Sequence, residues 1–108
     1  MNRQEERYVR NERLFREVNE RIAEVNESFE IEGQTDFLCE CAQETCLETL
    51  PLTRADYEAV RREGRRFAVV PGHEDSEIER VVRREPDFLL VEKIGEAGEE
   101  SENHDPRS

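Results

Sequence analysis

The stretch Phe37-Leu38-Cys39-Glu40-Cys41-Ala42-Gln43-Glu44-Thr45-Cys46 decides how this chain is read. In an extended strand the side chains at i and i+2 share a face, so Cys39 and Cys41 direct two sulfurs to one side. Cys46 follows after four intervening residues, and three thiolates can converge there without long-range folding. A tetrahedral zinc ion takes thiolates at about 2.3 Å and imidazole at about 2.0 Å, so a closed site wants one more ligand. His73 is the candidate. It follows the turn dipeptide Pro71-Gly72, and the apolar run before that turn can lie as a strand beside residues 37–41. The other histidine, His104, lies near the C-terminus. A zinc site formed by Cys39, Cys41, Cys46 and His73 is therefore expected.

The same residues allow two other readings. Free cysteines often serve as small buried apolar side chains, although Glu40, Gln43, Glu44 and Thr45 are not the usual setting of a buried apolar run. Alternatively, Cys46 and a second thiol form a disulfide on oxidation and zinc is released, which makes a thiol-based redox sensor the alternative function. Catalysis has less support. Three thiolates and a histidine fill the coordination shell, whereas catalytic zinc keeps a position open for water. A zinc deaminase needs His-x-Glu before Pro-Cys-x-x-Cys, and here His73-Glu74 follows the cysteines. A Cys46 nucleophile paired with His73 needs a third, orienting group and a cleft. Gly64, Gly72, Gly95 and Gly98 are too scattered for a phosphate loop. No enzyme is expected, and the many carboxylates read as solvated surface.

Working outward toward the N-terminus, residues 2–30 read as one long helix. Phe15, Val18, Ile22, Val25 and Phe29 recur at alternating spacings of three and four, with Tyr8 one heptad before Phe15. This is an a/d seam. It can be laid on the chain's own domain, on a second copy or on a protein partner. Toward the C-terminus, Leu50-Pro51-Leu52-Thr53 announces a second helix, with Thr53 as N-cap and Asp56 as the acidic half of a capping box, ending near Gly64. Phe67 to Val70 reads as a strand, and residues 78–91 as a hairpin about Glu85-Pro86-Asp87. The expected organisation is an amphipathic helix over 1–32, a zinc-stapled α+β domain over 33–95, and a disordered acidic tail over 96–108. The fold class is α+β: a long N-terminal helix and a small, mainly antiparallel sheet with a short middle helix.

Composition bounds the function. Of 108 residues only 34% are hydrophobic and 41% are charged, so the core is thin, and thin cores are commonly stapled by metals or disulfides. The net charge of −12 argues against binding nucleic acid, whose affinity comes from displaced counterions, and against anionic membranes. The clusters Arg61, Arg62, Arg65, Arg66 and Arg80, Arg83, Arg84 read as solvated faces offset by glutamates. Lys93 is the single lysine among sixteen basic residues, a bias typical of a GC-rich genome. No stretch approaches a membrane span and the first ten residues lack a signal-peptide core. A cytoplasmic location is expected, where thiols favour metals over structural disulfides.

Taken together, Phe37-Leu38-Cys39-Glu40-Cys41-Ala42 with Cys46, Leu52-Thr53 with Tyr57-Glu58 and Val60-Arg61, Arg66-Phe67-Ala68-Val69 with Pro71-Gly72-His73, and Val91-Glu92-Lys93 resemble a family of small hypothetical proteins of high-GC bacteria with a CxCx4C…PGH pattern. The resemblance spans residues 10–98. It implies that the cysteines belong with His73 and implies no activity. The expected function is a non-catalytic zinc-binding module for protein interaction or regulation, docking through the Phe15 to Phe29 seam or the sheet face.

Overall fold

The computed structural model describes residues 3–41, 43 and 45–107; the side chains of residues 4, 5, 8 and 9, including that of Tyr8, lie outside the described set. The chain runs α1 (Arg3–Ser28), β1 (Thr35–Leu38), β2 (Thr49–Leu52), α2 (Arg54–Val60), β3 (Arg66–Val69), β4 (Glu79–Arg84), β5 (Leu89–Lys93) and α3 (Gly95–Asn103). β1 and β2 pair antiparallel with Phe37 opposite Leu50, and a second antiparallel sheet has the order β3-β5-β4. The class is α+β, as the sequence suggested, with two small sheets in place of one. Among the described residues, no helix is long and apolar enough to cross a membrane.

Local chemistry accounts for several elements. Thr53 caps α2, accepting from the Asp56 amide at 3.0 Å while Asp56 accepts from the Thr53 amide at 3.3 Å, a complete capping box. α2 stops at Val60, earlier than Gly64, with Arg61 as its C-cap, and the Arg61 side chain pairs with Glu20 and Asp105. The β4–β5 hairpin turns at Glu85-Pro86-Asp87, closed by the Glu85 amide donating to the Phe88 carbonyl at 2.9 Å. A bulge between Val81 and Arg83 lets the adjacent Val81 and Val82 share one strand. Leu50-Pro51-Leu52 leads into α2 as expected, and it also forms β2, a strand not among those expected from the sequence. Pro51 is tolerated because a two-stranded sheet leaves β2 an open edge, where a missing N–H costs no ladder bond.

One core gathers residues from both sheets and α2, including Phe37, Leu50, Leu52, Tyr57, Val60, Phe67, Val69, Leu89 and Val91. Phe37 and Tyr57 stack with ring centroids 4.8 Å apart. Against this core α1 lays a polar stripe. Among its described side chains the buried ones are Glu12, Arg16, Asn19, Ala23 and Asn26, spaced four, three, four and three, which is one helical stripe. Arg16 donates to the carbonyls of Gly64 and Arg66 and lies 3.7 Å over the Phe67 ring. Asn19 accepts from the Leu38 amide at 2.7 Å and donates to the Leu38 carbonyl at 2.9 Å, while Asn26 donates to Thr35 at 2.7 Å. Glu12 meets Lys93, which also pairs with Glu79.

The apolar seam therefore lies one position away from the covered stripe. Ile22 packs against the core, but Val18, Val25 and Phe29 stay exposed, with Leu14 beside them. Two further expectations are corrected here. Glu12, Glu40 and Glu79 are buried carboxylates, not solvated surface, and Arg61 is buried while its neighbours Arg65 and Arg66 pair with Glu102 and Glu92. Glu12, Glu40 and Arg61 meet partners from distant elements, which composition alone does not reveal.

The stretch expected to be a disordered tail is also different. Residues 95–103 form α3, packed through Ala97, Gly98 and Ser101. A Cβ at Gly98 would stand 2.8 Å from the Lys93 carbonyl oxygen, so the close approach requires glycine. Beyond the helix Asp105 pairs with Arg61, and Arg107 pairs with Glu20 and Glu58. Small side chains and ion pairs hold this end where bulky apolar residues are lacking.

Burial raises the carboxyl of Glu12 from its ordinary 4.5 to about 7, against the opposing pull of Lys93. The folded state thus holds this proton more tightly than the unfolded chain, so Glu12 makes unfolding easier as pH rises from about 4.5 to about 7. Denaturant unfolding of the metal-loaded protein should show Glu12→Gln gaining on the wild type across that window, by on the order of 2 kcal/mol.

Candidate metal centre

The ten residues between β1 and β2 carry all three cysteines, so the metal loop closes a β-hairpin. The ladder continues into the loop, with the Cys39 amide donating to the Glu48 carbonyl at 3.0 Å. Glu40 lies between the two sulfurs of the CxC pair and, by extended alternation, points the opposite way into the core. There it is fully buried. One carboxylate oxygen accepts from the Ala68 amide at 3.0 Å; the other accepts from Asn19 and from the Tyr57 hydroxyl, each at 3.0 Å. The Glu40 amide donates to the Ala68 carbonyl at 2.9 Å. With Glu40 fixed by α1, α2 and β3, Cys39 and Cys41 are turned to the other side.

β3 places the fourth ligand. Val70-Pro71-Gly72-His73 is a tight turn closed by the His73 amide donating to the Val70 carbonyl at 2.9 Å, with Gly72 at φ +96°. That angle is the one the third position of a type II turn needs and that glycine adopts without strain. The expected Pro-Gly turn is present, and it brings His73 to the cysteines.

The ligand atoms of Cys39, Cys41, Cys46 and His73 all lie within 4.8 Å of one another. His73 Nδ1 is 3.6 Å from Cys39 Sγ and 3.6 Å from Cys46 Sγ. A tetrahedral ion with the bond lengths given above separates a thiolate from an imidazole nitrogen by about 3.5 Å, so these two spacings fit a four-coordinate metal. Three sulfurs and one nitrogen are also the donor set of structural zinc. Cys39, Cys41, Cys46 and His73 can thus hold a metal ion, the sequence-derived grouping having come together in space. Cys39 and Cys41 are buried, and Cys46 is half-buried.

The surroundings suit thiolates. Each sulfur takes a backbone N–H: Cys39 from Val70 at 3.2 Å, Cys41 from Gln43 and Cys46 from Glu48. Hydrogen bonding from Cys39 holds the Cys41 thiol down to about 5, while the same contact and burial push Cys39 up. Burial raises Cys46. Binding of a cation displaces the thiol protons.

Sequence reasoning missed two members of this site. Glu48 Oε2 lies 2.6 Å from His73 Nε2, an arrangement in which a carboxylate fixes the tautomer and leaves Nδ1 free to ligate. Its position two residues after Cys46 was the available signal. Glu40, a polar neighbour that argues against burial of the cysteines, is itself buried together with Cys39 and Cys41, its carboxylate met by three donors. No signal in the sequence marked it, since its partners lie far along the chain.

A scan against protein-family models and searches of curated proteins and of solved structures find no match.

Elemental analysis of the purified chain should find one equivalent of zinc, and Cys41→Ser should fall well below that and unfold at lower denaturant. Glu48→Gln should keep the fold and weaken zinc binding about tenfold in a chelator competition, the low end of what such supporting carboxylates contribute.

Proposed function

We propose that this chain is a non-catalytic zinc-binding module whose ion staples a thin domain and whose outer α1 face docks a protein partner. The observation that carries this reading is the closed ligand set beside an open apolar stripe. Cys39, Cys41, Cys46 and His73 would occupy four tetrahedral positions, leaving none for the water that hydrolytic zinc requires. When bound, the metal would supply folding energy rather than chemistry. It would tie the β1–β2 loop to the turn after β3, linking the two sheets.

The stripe supports docking. Leu14 is 57%, Val25 50% and Phe29 75% exposed, on a helix whose polar stripe faces the core. Scattered exposed apolar residues are ordinary, but a contiguous stripe on one element marks an interaction surface. A thiol switch has weaker support, because two of the three sulfurs are buried and each is held by a backbone N–H.

Since α1 is built into the domain through Glu12, Arg16 and Asn19, point substitutions on its outer face test the reading better than truncation. Replacing Val18 and Val25 together by Asp should leave zinc content and unfolding unchanged. It should abolish cross-links formed by the chain in its own cells. Cross-links that persist unchanged in that double variant would defeat the proposal.

A further inference from the structure

The occupant of the α1 face can be narrowed by charge. Leu14, Val18 and Arg21 follow one another at spacings of four and three, and with Glu17, Glu20, Glu24 and Pro106 they line a groove of about 470 Å³; exposed Val25 continues the same row four residues beyond Arg21, outside the groove. Pro106 is held there by its neighbours, since Asp105 pairs with Arg61, and Arg107 reaches Glu20 and Glu58. Glu17, Glu20, Glu24 and Glu27 run along one flank at spacings of three, four and three, the same row of a helix. Glu20 is engaged by Arg61 and Arg107. Glu17, Glu24 and Glu27 are exposed, and Arg21 is the single basic residue between residues 17 and 30.

A second copy of the chain fits this face poorly. An antiparallel pair that sets Leu14 against Val25 of the other copy, and Val18 against Arg21, also sets Glu17 beside Glu24 of the other copy, twice by symmetry. A parallel pair sets each glutamate row near its own counterpart. Both chains carry −12, so repulsion acts over the whole approach. Like charges across an interface disfavour the wrong partner. The same row attracts the opposite sign.

We propose, resting on the docking reading above, that the α1 groove receives a basic amphipathic helix of another protein. Its apolar residues, at spacings of three and four, cover Leu14, Val18, Val25 and Phe29. Its Lys or Arg residues on one flank meet Glu17, Glu24 and Glu27, and one acidic residue meets Arg21. This is helix-in-groove recognition, with the apolar stripe giving affinity and the glutamate row giving direction and partner choice.

The probe is a synthetic amphipathic helical peptide with leucines at seam positions and lysines on the flanks, compared with the same peptide carrying glutamates in place of lysines. Binding to the zinc-loaded full chain is read by fluorescence anisotropy. The lysine peptide should bind with micromolar affinity, weaken with added salt, and be preferred over the glutamate peptide at least tenfold. The variant with Glu17→Lys and Glu24→Lys should reverse that preference, and Val18→Asp with Val25→Asp should remove binding of both peptides. Lysine-peptide binding that survives all four substitutions is attraction to an acidic protein in general and overturns the proposal. So does a wild-type chain that dimerises through this face in sedimentation equilibrium, with dimers lost in the Val18 and Val25 variant. If neither peptide binds while cellular cross-links still require Val18 and Val25, the occupant is wrong and the docking reading survives. If the cross-links are indifferent as well, both fall.

Discussion

The carboxylate of Glu40 is the point from which the rest of the structure is ordered. A fully buried charge is tolerated only when its oxygens are matched by donors, and this one takes three, from Asn19 on α1, Tyr57 on α2 and the Ala68 amide on β3. Those contacts join three elements at one residue. Because Glu40 sits between Cys39 and Cys41, pinning its side chain leaves the two sulfurs to face Cys46 and His73. Core and metal site are thus two faces of one short segment.

That arrangement makes the polar side of α1 the structural side. Glu12, Arg16, Asn19 and Asn26 reach Lys93, two backbone carbonyls, Leu38 and Thr35, so hydrogen bonds and ion pairs set the orientation of the helix. Directional contacts of this kind specify one rotation about the helix axis more sharply than apolar packing alone. A consequence is that the apolar row is left at the margin and on the outside. The apolar surface left exposed follows from which row the interior claimed.

The metal site complements a core of limited size. The loop from Cys39 to Glu48 has few apolar side chains to hold it, and Cys39, Cys41, Cys46 and His73 could close it by holding a metal ion. Glu48 contributes at three points, through its carbonyl to the Cys39 amide, its amide to Cys46 and its carboxylate to His73. Burial of Cys39 and Cys41 with partial exposure of Cys46 and His73 places the centre at the edge of the core. There it bridges the two sheets.

What the sequence by itself determined were the features set by neighbouring residues. The i, i+2 alternation of Cys39 and Cys41, the Pro71-Gly72 turn before His73, the Thr53–Asp56 capping box and the turn at Pro86 are each governed by a few adjacent dihedrals. All were legible. Helical periodicity likewise identified α1 and its apolar row. What only the tertiary structure decided was which row is covered, because that depends on Lys93, Leu38 and Glu40, tens of residues away. The same holds for the burial of Glu12, Glu40 and Arg61, whose desolvation is offset only by partners from other elements, and for α3, which packs by the close approach of Ala97, Gly98 and Ser101 rather than by apolar bulk. Local backbone preference can be read along a chain, but the matching of buried charge is a property of the assembled fold.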